Sequence, residues 1–284
     1  MNSLATILIL LVTAAVSFIG FKRSDIWERL MFKPEAILRQ KQFERMLTSG
    51  LIHADWAHLG MNSLTLYLFG RNIEAHYGAL TLVGIHLVSI FGGSVLSLIL
   101  HRHHADYRAL GASGGVSGVV FASVFLLPDY RISMMLLPIW IPPYVYAVIF
   151  LVASFIAHRR QTDNIGHDAH LGGAIIGLLF ATVLYPHMVF AAPWMFALVL
   201  GLSLAVLVIL IRDPAQLMDL RFNFGSRPKS SERYQRYDES RERREKMEEI
   251  DRLLEKVSSG GLQSLSASER KKLERLSKEI GKRH

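Results

Sequence analysis

The chain has 284 residues, 51% of them hydrophobic, with 32 Lys+Arg against 24 Asp+Glu and no cysteine. The missing cysteine excludes disulfides, thiolate nucleophiles and Cys-based metal sites, whichever compartment the loops face. The formal charge of +8 is uneven: residues 1–220 hold 14 Lys+Arg against 12 Asp+Glu, while residues 221–284 hold 18 against 12, so the basic excess lies in the tail. A basic tail beside a membrane implies attraction to anionic lipid or a solvated charged surface. The chain has no folded basic module of the kind that reads nucleic acid.

The apolar residues form runs long enough to cross a hydrocarbon layer of roughly 30 Å, which predicts a polytopic membrane protein. Seven candidate spans are read at about 3–21, 57–76, 79–100, 112–128, 134–157, 168–185 and 193–211. The first run lacks a basic start and ends in Phe18-Ile19-Gly20-Phe21-Lys22, with no small-x-small cleavage site, so it is read as a span and not a removable signal. Residues 22–56 are too polar to span and too apolar for a plain linker. Trp27, Leu30, Met31, Phe32, Ile37 and Leu38 among mixed charges predict short helices lying in the interface.

Between Pro128 and Pro143 the chain turns and is broken by Pro138, Pro142 and Pro143, so helix is expected to resume only near Tyr144. Past Arg212 the composition becomes polar. A Gly225–Ser231 linker precedes two apolar stripes, one of Ile250, Leu253, Leu254 and Val257 and the other of Leu273, Leu276 and Ile280. Gly260-Gly261 suits the end of the first helix, and Ser266 with Glu269 fits a capping box for the second.

Polar groups inside the apolar runs are the candidates for chemistry, because an unpartnered hydroxyl or imidazole in hydrocarbon costs several kcal/mol. Gly111-Ala112-Ser113-Gly114 opens a stretch with no charge until Asp129. Small residues at a helix start permit a tight turn, and the free N–H groups there can stabilise an anion, which is what an acyl-transfer nucleophile needs. Gly115-Val116-Ser117-Gly118 repeats the pattern, and glycine and serine at four-residue spacing also serve close helix packing. Ser113 is preferred over Ser117 because it lies nearer the expected helix start.

His170 sits in Ala169-His170-Leu171-Gly172-Gly173, and Gly173 with Gly177 makes a small-x-x-x-small face that lets a neighbouring helix bring a hydroxyl to the imidazole. His53, His58 and Asn62 form a third cluster. Positions 58 and 62 share a helical face, where an imidazole and a carboxamide could donate to one oxyanion or could instead hold loop and helix together. Asp55 is the one carboxylate near this cluster and no H-E-x-x-H occurs, so no metal site is expected. His101-Arg102-His103-His104 reads as a wet loop.

At this point the chain resembles the rhomboid intramembrane serine proteases, over about residues 1–190. The resemblance rests on Arg45, His53-x4-His58-x3-Asn62, Gly70 with Glu74 and Gly78, G-x-S-G at 111–114 and A-H-x-x-G-x-x-x-G at 169–177, in the expected order. It implies Ser113 as nucleophile, His170 as general base, and His58, Asn62 and the Ser113 backbone N–H as oxyanion hole. It requires no third acid, and the sixth span offers only Asp168 at its edge. Two positions depart from the family: Glu44 stands where Trp often precedes the arginine, and Ser117 stands where an aromatic can stack on the histidine.

The reading is therefore an all-α, polytopic membrane helix bundle with a six-helix rhomboid core plus one C-terminal span. The expected divisions are a membrane domain at 1–211, a linker at 212–231 and a soluble helical hairpin tail at 232–284. The expected function is intramembrane serine endopeptidase, multi-pass in the cell membrane, with transmembrane protein substrates and the lipid bilayer as partners and neither cofactor nor nucleic acid. The alternatives are a non-cleaving relative that binds membrane segments, which predicts loss of Ser or His, and a transporter, which predicts intramembrane carboxylates or an inverted repeat. The family's topology carries a seventh span's tail outside, whereas the positive-inside rule keeps it cytoplasmic.

Overall fold

The computed structural model describes residues 3–104, 106–129, 132–133, 140–142, 144–150, 152, 167–191, 193–212, 249–258, 260–266 and 268–273. The chain divides into two compact units, Met1–Ser226 and Arg227–His284. In the first unit the long helices are α1 (Leu4–Lys22), α5 (Trp56–Tyr77), α6 (Ala79–His101), α7 (Ser113–Leu126), α9 (His167–Leu184) and α11 (Pro193–Arg212). Short helices α2 (Ser24–Leu30), α3 (Pro34–Gln40), α4 (Arg45–Thr48) and α10 (Met188–Ala191) lie between them, as do a 3-10 turn at Ser49–Leu51 and helical residues 144–150, here α8. α1 and α6 are each long and apolar enough to cross a membrane, while α7 and residues 168–184 and 196–208 are shorter apolar helices.

Six of the seven apolar runs coincide with helices to within about two residues. Most of the 134–157 run lies outside the described residues, although helix does resume at 144, after the prolines. A two-residue antiparallel pair, Ile132–Ser133 (β1) with Trp140–Ile141 (β2), is an addition to the all-α reading. Prolines that forbid helix there leave the backbone extended, and two extended segments satisfy each other's N–H and C=O groups.

Local chemistry sets the ends of these helices. Asp55 caps α5 by accepting from the His58 N–H at 2.8 Å, and Gly78, at φ 86°, terminates it and turns the chain into α6. Glu74 near the end of α5 accepts from the Ala5 N–H, the Thr6 N–H and the Thr6 hydroxyl at 2.6–2.8 Å, so a carboxylate from one helix satisfies the orphan donors at the start of α1.

α7 is the centre of the unit, and all fourteen of its residues are buried. Its principal neighbours are α6 and α9. An added Cβ on Gly173 would strike the Gly114 carbonyl, one on Gly177 would strike the Gly118 Cα, and one on Gly93 would come within 2.5 Å of the Ala169 carbonyl oxygen. Glycine is thus required where the three helices touch backbone to backbone.

The amphipathic stretch 22–56 packs inward. Trp27, Met31, Phe32 and Ile37 are buried, and Phe32, Ile37 and Met46 form a small core with Ala109 from the segment leading to α7. Leu38, Phe43 and Leu47 remain exposed. Arg45 is buried at the centre of this stretch. It donates to the carbonyls of Glu28 at 2.8 Å and Met31 at 2.7 Å and to the Gln42 side chain at 2.5 Å, so the anchoring stands without an aromatic at position 44.

In the second unit, residues 249–258 and 268–273 are helical. Gly261, at φ 73°, donates its N–H to Val257 and so closes the first helix. Ser266 and Glu269 hydrogen-bond each other's backbone N–H at 3.2 and 2.8 Å, a capping box. Leu276 and Ile280 of the second stripe, and the Gly225–Ser231 linker, lie outside the described residues.

Candidate active site

α7 begins at Ser113 itself, so the hydroxyl sits in the first turn of a buried helix, beside N–H groups that have no intrahelical acceptor. The chain enters this turn through Gly111 at φ 125°, a conformation open essentially to glycine. A Cβ there would lie 2.9 Å from His58 Nε2 and 3.5 Å from Ser113 Oγ, so the imidazole of α5 and the hydroxyl of α7 border the same small space.

Three tethers hold that entry. Phe32 and Ala109 exchange backbone hydrogen bonds at 3.0 and 3.2 Å, the Gly111 N–H donates to the Ser49 carbonyl at 2.9 Å, and the Ala112 N–H donates to His53 Nε2 at 3.3 Å. The last contact determines the histidine's protonation. Nε2 accepts, so it carries no hydrogen. The Ser17 hydroxyl gives its one hydrogen to the Leu51 carbonyl, so in the 2.9 Å contact between Ser17 and His53 it is the Nδ1–H that donates. His53 is therefore neutral with its proton on Nδ1. Burial first, and the nearby His58 second, push it down to about 3. The ring is inaccessible and stands edge-on to His58 at 4.9 Å between centroids.

Asn62 lies one turn beyond His58 and donates one amide hydrogen back to the His58 carbonyl at 3.1 Å. A carboxamide has a second N–H, so one donor is engaged within α5 and the chemistry of the other is unaltered. Ser117 is wholly buried, and its hydroxyl donates to the Ser113 carbonyl at 2.6 Å, as helical serines do when they bond their own backbone.

His170 is buried in α9. Its neighbour Ala169 offers a carbonyl oxygen 3.2 Å from where a Gly114 Cβ would stand, so the residues adjoining Ser113 and His170 are in contact. With serine at position 117, an aromatic comes from elsewhere: the Phe150 ring of α8 lies 5.6 Å from the imidazole at 33°.

Ser113 borders a cavity of about 20 Å³ together with Ser49, Ser94, Ser97, Phe32 and Ile90, with room for roughly one water. Among the described residues no three His, Asp or Glu side chains converge as metal ligands would.

The model of the Rhomboid domain matches residues 40–187, which is more than half of the chain. The chain belongs to the rhomboid family. Residues 235–279 of this rhomboid match a second family, DUF6576, whose function is unknown. Among curated relatives, RHOMBOID-like protein 12, mitochondrial, of Arabidopsis thaliana is 31% identical over 151 residues, 47% of this chain and 44% of the relative. Rhomboid protease GluP of Bacillus subtilis is 30% identical over 152 residues, 54% of this chain and 28% of the relative. Rhomboid protease AarA of Providencia stuartii is 29% identical over 160 residues, 49% of this chain and 56% of the relative. The chain spans about half the length, or less, of these relatives.

The sequence reading of this rhomboid assigned no role to Ser17, Phe150 or the backbone tethers from Phe32 and Ser49, and it named His53 only as part of a cluster.

Proposed function

We propose that this rhomboid is an intramembrane serine endopeptidase that cleaves transmembrane segments with a Ser113–His170 dyad. The observation that carries the reading is the convergence on one spot of the Ser113 hydroxyl, the free N–H groups at the start of α7 and the His58 imidazole, with Ala169, the neighbour of His170, packed on Gly114. In the proposed reaction His170 takes the proton from Ser113 as Oγ attacks a peptide carbonyl, then gives it to the departing amine. The Ser113 backbone N–H, His58 and Asn62 donate to the developing oxyanion, an arrangement in which one donor is worth on the order of 100- to 1,000-fold in rate. Water then attacks the acyl-enzyme carbonyl as His170 takes its proton, and that proton returns to Ser113 Oγ as the C–Oγ bond breaks and the new carboxylic acid leaves. The cavity beside Ser113 has room for such a water. Ser117 is disfavoured as nucleophile because its hydroxyl already bonds its own helix.

A fourteen-residue helix rises roughly 21 Å, less than the roughly 30 Å of the hydrocarbon core, so a helix starting at Ser113 sets the reaction below the membrane surface. A substrate helix has its carbonyls tied up in hydrogen bonds and must unwind to be cut, which favours segments with Gly, Ser or Ala near a boundary. The proposal extends to the arrangement: six core helices plus α11 within 1–211, a linker at 212–231, a hairpin tail at 232–284, and multi-pass insertion in the cell membrane.

The test is cleavage of a labelled transmembrane substrate by purified protein in detergent. Ser113→Ala and His170→Ala are expected to lower the rate by several orders of magnitude. Equal cleavage by wild type and both variants ends the protease reading. Cleavage that survives Ser113→Ala and is lost in Ser117→Ala moves the nucleophile.

A further inference from the structure

Asp168 lies in the first turn of α9, two residues before His170, and is 1% exposed. A buried carboxylate this close to a general base invites reading as the third member of a triad. Helical geometry argues otherwise, because residues two apart point about 200° from one another around the axis. The carboxylate is bound elsewhere. The Tyr107 hydroxyl donates to Oδ1 at 2.8 Å, and His101 Nε2 stands 3.5 Å from Oδ2. The His101 and Tyr107 rings stack at 3.5 Å between centroids, 6° from parallel, and Tyr107 meets the buried Phe32 edge-on at 6.2 Å.

These groups come from three places that matter to the dyad. His101 is the last residue of α6, Tyr107 is six residues before Ser113 on the connecting segment, and Asp168 is on the helix that carries His170. Building on the Ser113–His170 reading, we infer that the Tyr107–Asp168 hydrogen bond, backed by His101, is a clamp that sets the approach of the serine-bearing loop to the histidine-bearing helix. Tyr107 and Asp168 are then positioning residues. They join the two halves of the dyad by a route that does not pass through it, and a buried charge makes the joint costly to leave unmade. Displacing a reacting group by about 1 Å can cost on the order of 100-fold in rate, so loss of one clamp bond should appear in kcat and not in substrate affinity.

The experiment uses full-length protein in detergent and the variants Tyr107→Phe, Asp168→Asn, Asp168→Ala and Tyr107→Phe/Asp168→Ala. It measures kcat and KM on a labelled transmembrane substrate, the rate at which a fluorophosphonate labels Ser113, and the thermal unfolding midpoint. Tyr107→Phe is expected to lower kcat and labelling by about tenfold with KM within about twofold. Asp168→Asn keeps a carbonyl acceptor for Tyr107 and is expected to lose less than Asp168→Ala. The double variant is expected to be no slower than the slower single one, because both remove the same bond.

Wild-type kcat in Tyr107→Phe overturns the clamp, as do single losses that multiply in the double variant. If Asp168→Ala does not fold, Tyr107→Phe and Asp168→Asn decide the matter between them. A wild type that neither cleaves nor labels removes the protease reading and the clamp together, whereas an active wild type with an indifferent Tyr107→Phe removes the clamp alone.

Discussion

His53 shows how one residue can carry a structural instruction. Its acceptor nitrogen holds the Ala112 N–H, the peptide that leads into Ser113, and its donor nitrogen is satisfied by Ser17. The folded protein refuses a proton that the unfolded chain takes up below 6.5, because charging the ring would desolvate an ion and displace the Ala112 donor. In that window the unfolded state binds more protons, so stability rises with pH. The His53 contribution is complete above 6.5 and is lost progressively as pH falls from 6.5 toward about 3. The unfolding midpoint of detergent-solubilised protein should decline across this interval. His53→Gln, which keeps a donor and an acceptor but cannot ionise, should show a shallower decline.

At the scale of elements, the deciding feature is how closely α6, α7 and α9 approach. Position 173 has no room for a side chain, since a Cβ there would meet the Gly114 carbonyl next to Ser113. Gly173→Ala should therefore push α9 from α7, lowering stability by about 1–3 kcal/mol and cleavage with it. Gly201 in α11 has nothing within 4 Å of an added Cβ. Gly201→Ala should be neutral or stabilising by about 0.4–1 kcal/mol, through the entropy of the unfolded chain. Unfolding midpoints and cleavage rates of the two variants, measured side by side, separate the packing effect from helix propensity.

These elements were legible to different degrees. The start of α7 could be read because a charge-free Gly-Ala-Ser-Gly is a local signal, whereas the Asp55 cap that sets the start of α5 emerges only in the fold. The stretch 22–56 announced short helices, yet its periodicity says only that one face is apolar and not whether lipid or protein covers it. Phe32 against Ala109, Ser49 against Gly111 and His53 against Ala112 are contacts between distant segments, which leave no trace in local spacing. Phe150 beside His170 was hidden for the same reason.

At the scale of the molecule, every residue proposed for catalysis lies in the unit Met1–Ser226, and the capping box lies in the other. Ending the chain at Ser226 should leave the cleavage rate of a labelled transmembrane substrate unchanged. A large fall in that rate would assign the DUF6576 segment a part in the reaction. Within its own unit the tail is held by polar contacts. Lys256 binds the Glu269 carboxylate at 2.9 Å and, with the Ser266 backbone and hydroxyl, holds it down at about 2.

Composition and spacing alone predict a helical chain, rich in membrane-length apolar runs that carry a few serines and histidines inside them. These properties are written in neighbouring residues, because hydrophobic length and helix capping act over a few turns. Only the folded chain decided that the first loop braces the turn leading into Ser113, that His53 is neutral with its proton on one nitrogen, and that Asp168 faces Tyr107. Each of these depends on which distant atoms meet in a dry interior, where a polar group must be paired, and pairing across 59 or 61 positions is a property of packing.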